Sequence, residues 1–277
     1  MSLIAFAANS VICRLALDEK TIDASSYTSF RLLSGAIVLL LILHSNKKTV
    51  STDAKGSWIS TLMLFLYAAS FSFAYITLDT GTGALILFGA VQISMILSSL
   101  LSGNRLHLTE WFGVSIAFFG FVYLILPGVK TPTLTGFILM TIAGVSWGIY
   151  TLRGKNSINP LADTTYNFTR SIPLVLILLL FTLKISHLSL YGVILSILSG
   201  GIASGIGYTI WYLALGGLSA TQAAVVQLFV PVLAAIGGVI FVSEQITLRL
   251  SISALFILGG IFLVILGRYY FVTLKSN

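Results

Sequence analysis

Between Leu190 and Val242 the chain carries no charged side chain. A helix crossing a bilayer needs about 20 predominantly apolar residues, so this run is too long for one span, even a tilted one, and must turn near Gly216-Gly217. β-Barrel strands are excluded, because the apolar runs are continuous and lack the in/out alternation that a barrel requires. Composition agrees: only 8% of the 277 residues are charged and the mean hydropathy is +1.03, whereas a water-soluble domain carries about 25% charge. Apolar runs separated by polar or Gly/Pro punctuation predict spans near 3–17, 27–43, 58–78, 83–102, 110–126, 135–152, 164–183, 190–216, 219–242 and 250–271. The expected fold is an all-α integral membrane protein of ten transmembrane helices, with no room for a soluble domain. A secreted or cytosolic enzyme is excluded, and the lone Cys13 in an apolar stretch forms neither a disulfide framework nor a cysteine metal cluster.

The stretch beginning at Leu3 lacks the basic n-region and cleavage pattern of a signal peptide, but it is short and holds Arg14 near its end, so the chain is expected to begin inside its first helix. An even number of spans puts both tails on one face. That face collects Lys47, Lys48, Lys55, Arg105, Arg153, Lys155, Arg268 and Lys275, against Arg14, Lys20, Lys130, Lys184 and Arg249 on the other. The positive-inside rule then places both termini in the cytoplasm, and the expected location is the inner membrane. The net charge of +7 is thereby explained by topology, without a nucleic-acid partner.

Sliding the sequence along itself by 139 residues superposes features over the whole chain. Arg14 meets Arg153, Tyr27 meets Tyr166, Arg31 meets Arg170, Gly120 meets Gly259 and Gly128 meets Gly267. Two repeats follow, 1–135 and 136–277. Each holds five spans, an odd number, so the halves enter the membrane in opposite orientations, the symmetry used by transporters that alternate around a central site.

These features resemble the drug/metabolite transporter superfamily in its ten-helix form of two EamA repeats. The resemblance is carried by SFRLLSGAIVLLL at 29–41, similar to the Arg-bearing second helix of the family, and by LSATQAAVVQLFVPVLAAIGGVIFVSEQITL at 218–248, with its mid-span Pro231 and closing Glu244. Asn9 is similar to the family's first-helix Asn. The first half departs, with Gln92 where the repeat predicts proline, Arg105 where it predicts glutamate, and Ala7-Ala8 in place of Trp-Gly. Helices one, three and four of each repeat resemble the helices that line the family's cavity.

In hydrocarbon a polar group needs a partner or a water-filled cavity. Mid-span polar and amphipathic residues are therefore the candidate solute contacts: Asn9, Tyr67, Tyr75 and Gln92 in the first half, and Trp147, Tyr150, Tyr208, Trp211, Tyr212, Gln222 and Gln227 in the second. Each also has a structural reading, as an interhelical hydrogen bond or aromatic packing. Gln222 and Gln227 are roughly 140° apart on a helix, so at most one faces a cavity. Gln227 is favoured, because the missing N–H of Pro231 frees the carbonyl there and makes that proline a hinge. Arg31 and Arg170 are read either as anion ligands or as anchors that snorkel to the interface. Gly200, Gly201, Gly205 and Gly207 are read as packing glycines, and Gly237-Gly238 with Gly259-Gly260 as a seam between the last two helices.

No acid falls in mid-span. Asp79, at the tight turn before Thr80-Gly81-Thr82-Gly83, is the candidate gate or proton site, though a solvated turn residue is the expectation. No Walker motif, metal cluster or cofactor signature appears. The leading expectation is a secondary transporter, not an enzyme, that exports small metabolites such as amino acids by alternating access. The alternatives are uptake or antiport of anionic, sugar-linked or phosphorylated metabolites, and a membrane component without transport.

Overall fold

In the computed structural model, the described residues are 1–45, 56–101, 103, 107–126, 132–155, 157–182, 187–215 and 226–270. They form α1 (Ser2–Asp18), α2 (Ala24–Ser45), α3 (Trp58–Ala74), α4 (Thr80–Leu101), α5 (Leu108–Ile125), α6 (Leu134–Gly154), α7 (Pro160–Arg170), α8 (Ile172–Thr182), α9 (Leu190–Leu198), a π-helical stretch (Ser199–Ile206), α10 (Gly207–Leu215), α11 (Phe229–Phe241) and α12 (Leu248–Arg268). Seven helical stretches among them are long and apolar enough to cross a membrane, and α3 and α11 are apolar but shorter. Burial is inverted relative to a soluble protein. Phe118, Phe119, Leu180, Phe181, Leu213 and Leu255 face outward, while Asn9, Arg31, Gln92 and Gln227 are inside, as expected where the solvent is hydrocarbon.

Two of the expected spans are interrupted, and a proline explains each. α7 ends at Ser171, two residues before Pro173. The span expected over 219–242 breaks at Leu228, so Pro231 lies in the first turn of α11 instead of kinking a continuous helix. A proline there costs no hydrogen bond, since first-turn N–H groups lack intrahelical partners.

The helices alternate between two ends of the bundle. At one end Arg14 joins Tyr75 and Glu244, Thr77 joins Thr133, and the backbone of Asp23 joins His187. At the other, Gly56 and Ser57 bind the side chains of Asp163 and Asn167 in α7, and Arg153 binds Ser57 and Ser60. α6 packs on α3 and α4, and α1 packs on the π-helical stretch and α11, while α2 meets α7, α4 meets α11 and α5 meets α12.

The glycines set the closest approaches. A Cβ on Gly200 would lie 2.0 Å from the Arg31 carbonyl oxygen, so only glycine lets the π-helical stretch sit against α2 here. The seam expected between the last two helices is not formed. Gly260 instead meets Gly113 of α5, Gly237 meets Val11 of α1, and Gly259 faces open space, because α12 pairs with α5 and α11 with α1.

Candidate functional site

A buried polar network crosses the middle of the bundle and draws on five helical stretches, α1, α2, α3, the π-helical stretch and α10. Ser199 Oγ donates to Asn9 Oδ1 at 2.5 Å, and Asn9 Nδ2 donates to the Tyr67 hydroxyl at 3.3 Å. That hydroxyl also accepts from Arg31 Nη2 at 3.0 Å, the Tyr208 hydroxyl accepts from the same nitrogen at 3.2 Å, and Arg31 Nε donates to Ser204 Oγ at 3.1 Å. Arg31 is only 1% exposed, and its Cζ lies 5.1 Å from the Tyr67 ring centroid and 4.9 Å from that of Phe71. The snorkelling expected of Arg31 is therefore overturned. It sits seven residues into α2, about 10 Å below the helix start, and neighbouring hydroxyls and ring faces hold it sideways. Arg170 does reach an end of the bundle, its Cζ stacked 5.7 Å over Trp58. Arg31 and Arg170 thus have different surroundings, as do buried Tyr27 and exposed Tyr166.

An aromatic cluster encloses the network. Phe6 makes edge contacts with Trp147, Tyr208 and Trp211 at centroid distances of 5.8, 5.9 and 5.7 Å, and Trp147 lies 4.9 Å from Tyr67 and 4.6 Å from Tyr208. Tyr150 extends the cluster from Trp147 to Tyr212. Five of the sequence candidates (Asn9, Tyr67, Trp147, Tyr208 and Trp211) thus meet at one centre, with Tyr150 and Tyr212 continuing toward the end of the bundle that holds Asp163. Gln92 and Gln227 are buried, and among the described residues neither Gln227 Oε1 nor Trp211 Nε1 has a partner. Tyr75 is apart from this centre: its hydroxyl donates to the Thr80 carbonyl and its ring meets Phe71. Gln222 lies outside the described residues. Phe6, Ser199 and Ser204 were not singled out from the sequence, since a phenylalanine or a serine in an apolar run carries no distinguishing signal.

The two ends differ. Around Arg14, Glu244 accepts from Thr80 N through both carboxylate oxygens at 2.9 and 2.8 Å, from Thr80 Oγ1 at 3.1 Å and from Arg14 Nε at 3.2 Å. It thereby caps α4 from a segment 164 residues away and ties that helix to α1. Burial raises the Glu244 carboxyl above its ordinary value; the Thr80 N–H opposes this, nearby Asp79 adds to it, and Arg14 opposes it further. Arg14 also binds Asp18 at 2.8 Å and Asp79 at 3.7 Å, and the Asp79 side chain is 55% exposed, the solvated turn position expected. A polar cavity of about 490 Å³ opens here between Asp79, Thr82, Glu244, Gln245 and Arg249. At the opposite end the space among Ser60, Tyr150, Asp163 and Tyr212 is about 20 Å³, little more than one water needs.

Apolar helices around a buried polar and aromatic centre, with end segments tied across the bundle, define a multi-pass membrane protein built around an internal polar site. Comparison with known proteins is consistent. Residues 134–266 match the model of the EamA-like transporter family. The chain is 45% identical over 268 residues to an uncharacterized protein of Pseudomonas aeruginosa, covering 97% of this chain and 93% of that one. It is 24% identical over 249 residues to the uncharacterized transporter YoaV of Bacillus subtilis, covering 86% and 85%. It is 27% identical over 208 residues to an uncharacterized transporter of Archaeoglobus fulgidus, covering 73% and 74%. A protein of known crystal structure shares the fold with a TM-score of 0.61 at 17% identity, over 98% of each chain. The chain belongs to the EamA-like transporter family, within the drug/metabolite transporter superfamily.

Proposed function

We propose that the protein is a secondary transporter that exports small metabolites of the amino-acid kind across the inner membrane, its termini in the cytoplasm, by alternating access between repeats 1–135 and 136–277. One observation carries this reading. The network from Ser199 through Asn9, Tyr67 and Arg31 to Tyr208 joins helices of both repeats at the bundle centre, where a passage between two alternating halves has to run. The packing supports the duplication: exchanging each helix for its partner in the other repeat turns the contacts of α6 with α3 and α4 into those of α1 with the π-helical stretch and α11. Hydroxyls, amides and ring faces suit an amphipathic organic solute better than a bare ion. The Arg14–Glu244 tie holds the end away from the cytoplasm, and separating it releases solute to that side.

Coupling to protons is weak or absent in this reading. A proton antiporter needs a group whose charge changes inside the alternating cavity, and half-exposed Asp79 remains wet. The test is flux of a mixed pool of labelled metabolites in proteoliposomes, with and without a pH gradient. Gradient-independent movement of amino acids that survives Asp79→Asn is expected. The absence of flux for every solute would overturn transport, and uphill movement abolished by Asp79→Asn would replace facilitated export with proton coupling.

A further inference from the structure

Arg31 is a fully buried guanidinium that forms no salt bridge among the described residues. A charge held inside a membrane protein is costly unless paired. The faces of this one are occupied by the rings of Tyr67 and Phe71, and its Nε and Nη2 are occupied by three hydroxyls, which compensate part of the cost. Nη1 has no partner among the described residues.

The surrounding groups make the imbalance specific. The Tyr67 oxygen accepts two N–H bonds, from Asn9 and Arg31, and the Tyr208 oxygen accepts one from Arg31. The Tyr208 hydroxyl also bonds Tyr67 and Ser204, which leaves the Arg31 Nη1 donors without an acceptor among the described residues. The centre has a surplus of donors and one uncompensated positive charge, so the group that completes it is an acceptor with one negative charge. We propose that Arg31 Nη1 binds the carboxylate of the transported solute, which supplies the countercharge that the protein does not provide. This rests on the transport reading and narrows it to solutes with a single carboxylate. A phosphate dianion would leave one negative charge unpaired, since the repeat-related Arg170 is stacked on Trp58 instead.

The experiment uses the purified full chain in micelles and in proteoliposomes, with zwitterionic amino acids each compared with its methyl ester and its carboxamide. The readouts are thermal stabilisation in micelles and competition against labelled amino acid flux. The acid is expected to stabilise the protein and compete, with ester and amide roughly tenfold to hundredfold weaker, the loss of one charge-assisted bond. Arg31→Gln should erase that preference, while Arg31→Lys, which keeps the charge, should retain part of it. Because the acid-to-ester comparison is made on the wild-type chain, it stands even where Arg31→Gln does not fold. Ester or amide equal to the acid in both readouts overturns the inference while flux itself persists. A preference for acid over ester in micelles with no flux in proteoliposomes supports the Arg31 site and counts against transport alone.

Discussion

Exchanging one oxygen for an amide nitrogen, in Glu244→Gln, should loosen one end of the molecule. The Glu244 carboxylate accepts the Thr80 N–H through both oxygens and takes a further bond from Arg14 Nε at 3.2 Å. An amide keeps one accepting oxygen and turns an N–H₂ group toward the other donors. Weakening a helix cap costs about 1 kcal/mol, and losing a charge-assisted bond about 1.5–3 kcal/mol, of which part is recovered by water at this semi-exposed site. Removing the charge also relieves its burial penalty, so the net of roughly 1.5–2 kcal/mol corresponds to about a 10- to 30-fold shift in the equilibrium between closed and open forms of that end. Cys13 reports it. It is the only cysteine in the chain, adjacent to Arg14 and fully buried, so its maleimide labelling in liposomes measures how often the end of α1 lifts away. The variant should label at least tenfold faster than wild type, with unchanged membrane abundance. A labelling rate within twofold of wild type would refute the reasoning.

Three further outcomes follow from the same structure. Gly200→Ala places a methyl 2.0 Å from the Arg31 carbonyl oxygen and should cost upward of about 1–3 kcal/mol, lowering folded yield and flux together. The matched control Gly259→Ala, where nothing lies within 4 Å, should leave the melting temperature unchanged or slightly raised. Gln227→Leu should impair flux more than abundance, because Gln227 Oε1 has no partner among the described residues to lose; a structural glutamine would lower abundance first. The pH dependence has a definite sign. The folded-state value of Glu244 lies above its ordinary 4.5, so the folded protein binds the extra proton in the window between the two. Stability contributed by this group therefore falls as pH rises through that window, and Glu244→Gln should remove that component of the slope in melting temperature against pH.

Much of the site was legible because the bilayer makes polar residues conspicuous. Asn9, Tyr67, Trp147 and Tyr208 stand out in apolar runs, and four such residues from separate helices meet at one centre. The glycines that bring Ser204 and Tyr208 onto Arg31 were legible as close-packing residues, but not which helix each would meet. The sequence leaves Arg31 between an anion ligand and a snorkelling anchor, because position near a helix start fixes depth, while the lateral pull of hydroxyls on other helices depends on tertiary packing. Phe6 at the aromatic centre resembles any lipid-facing residue until its neighbours are known. The Arg14–Glu244 pair joins residues 230 positions apart, a separation at which local pattern is silent. The breaks at Ser171 and Leu228 follow from prolines whose positions were visible but whose helix boundaries were not.

Alternating access of this kind requires the Arg14–Glu244 end to separate. In a Cys13→Ser background, Arg14→Cys and Glu244→Cys replace the tie with two thiols that a short reducible cross-linker can join, and amino acid flux in proteoliposomes is measured before linking, after it, and after reduction. Flux that is present, lost on cross-linking and restored by reductant is the expected result. Flux that continues unchanged while the two thiols are fully linked would contradict alternating access through this end.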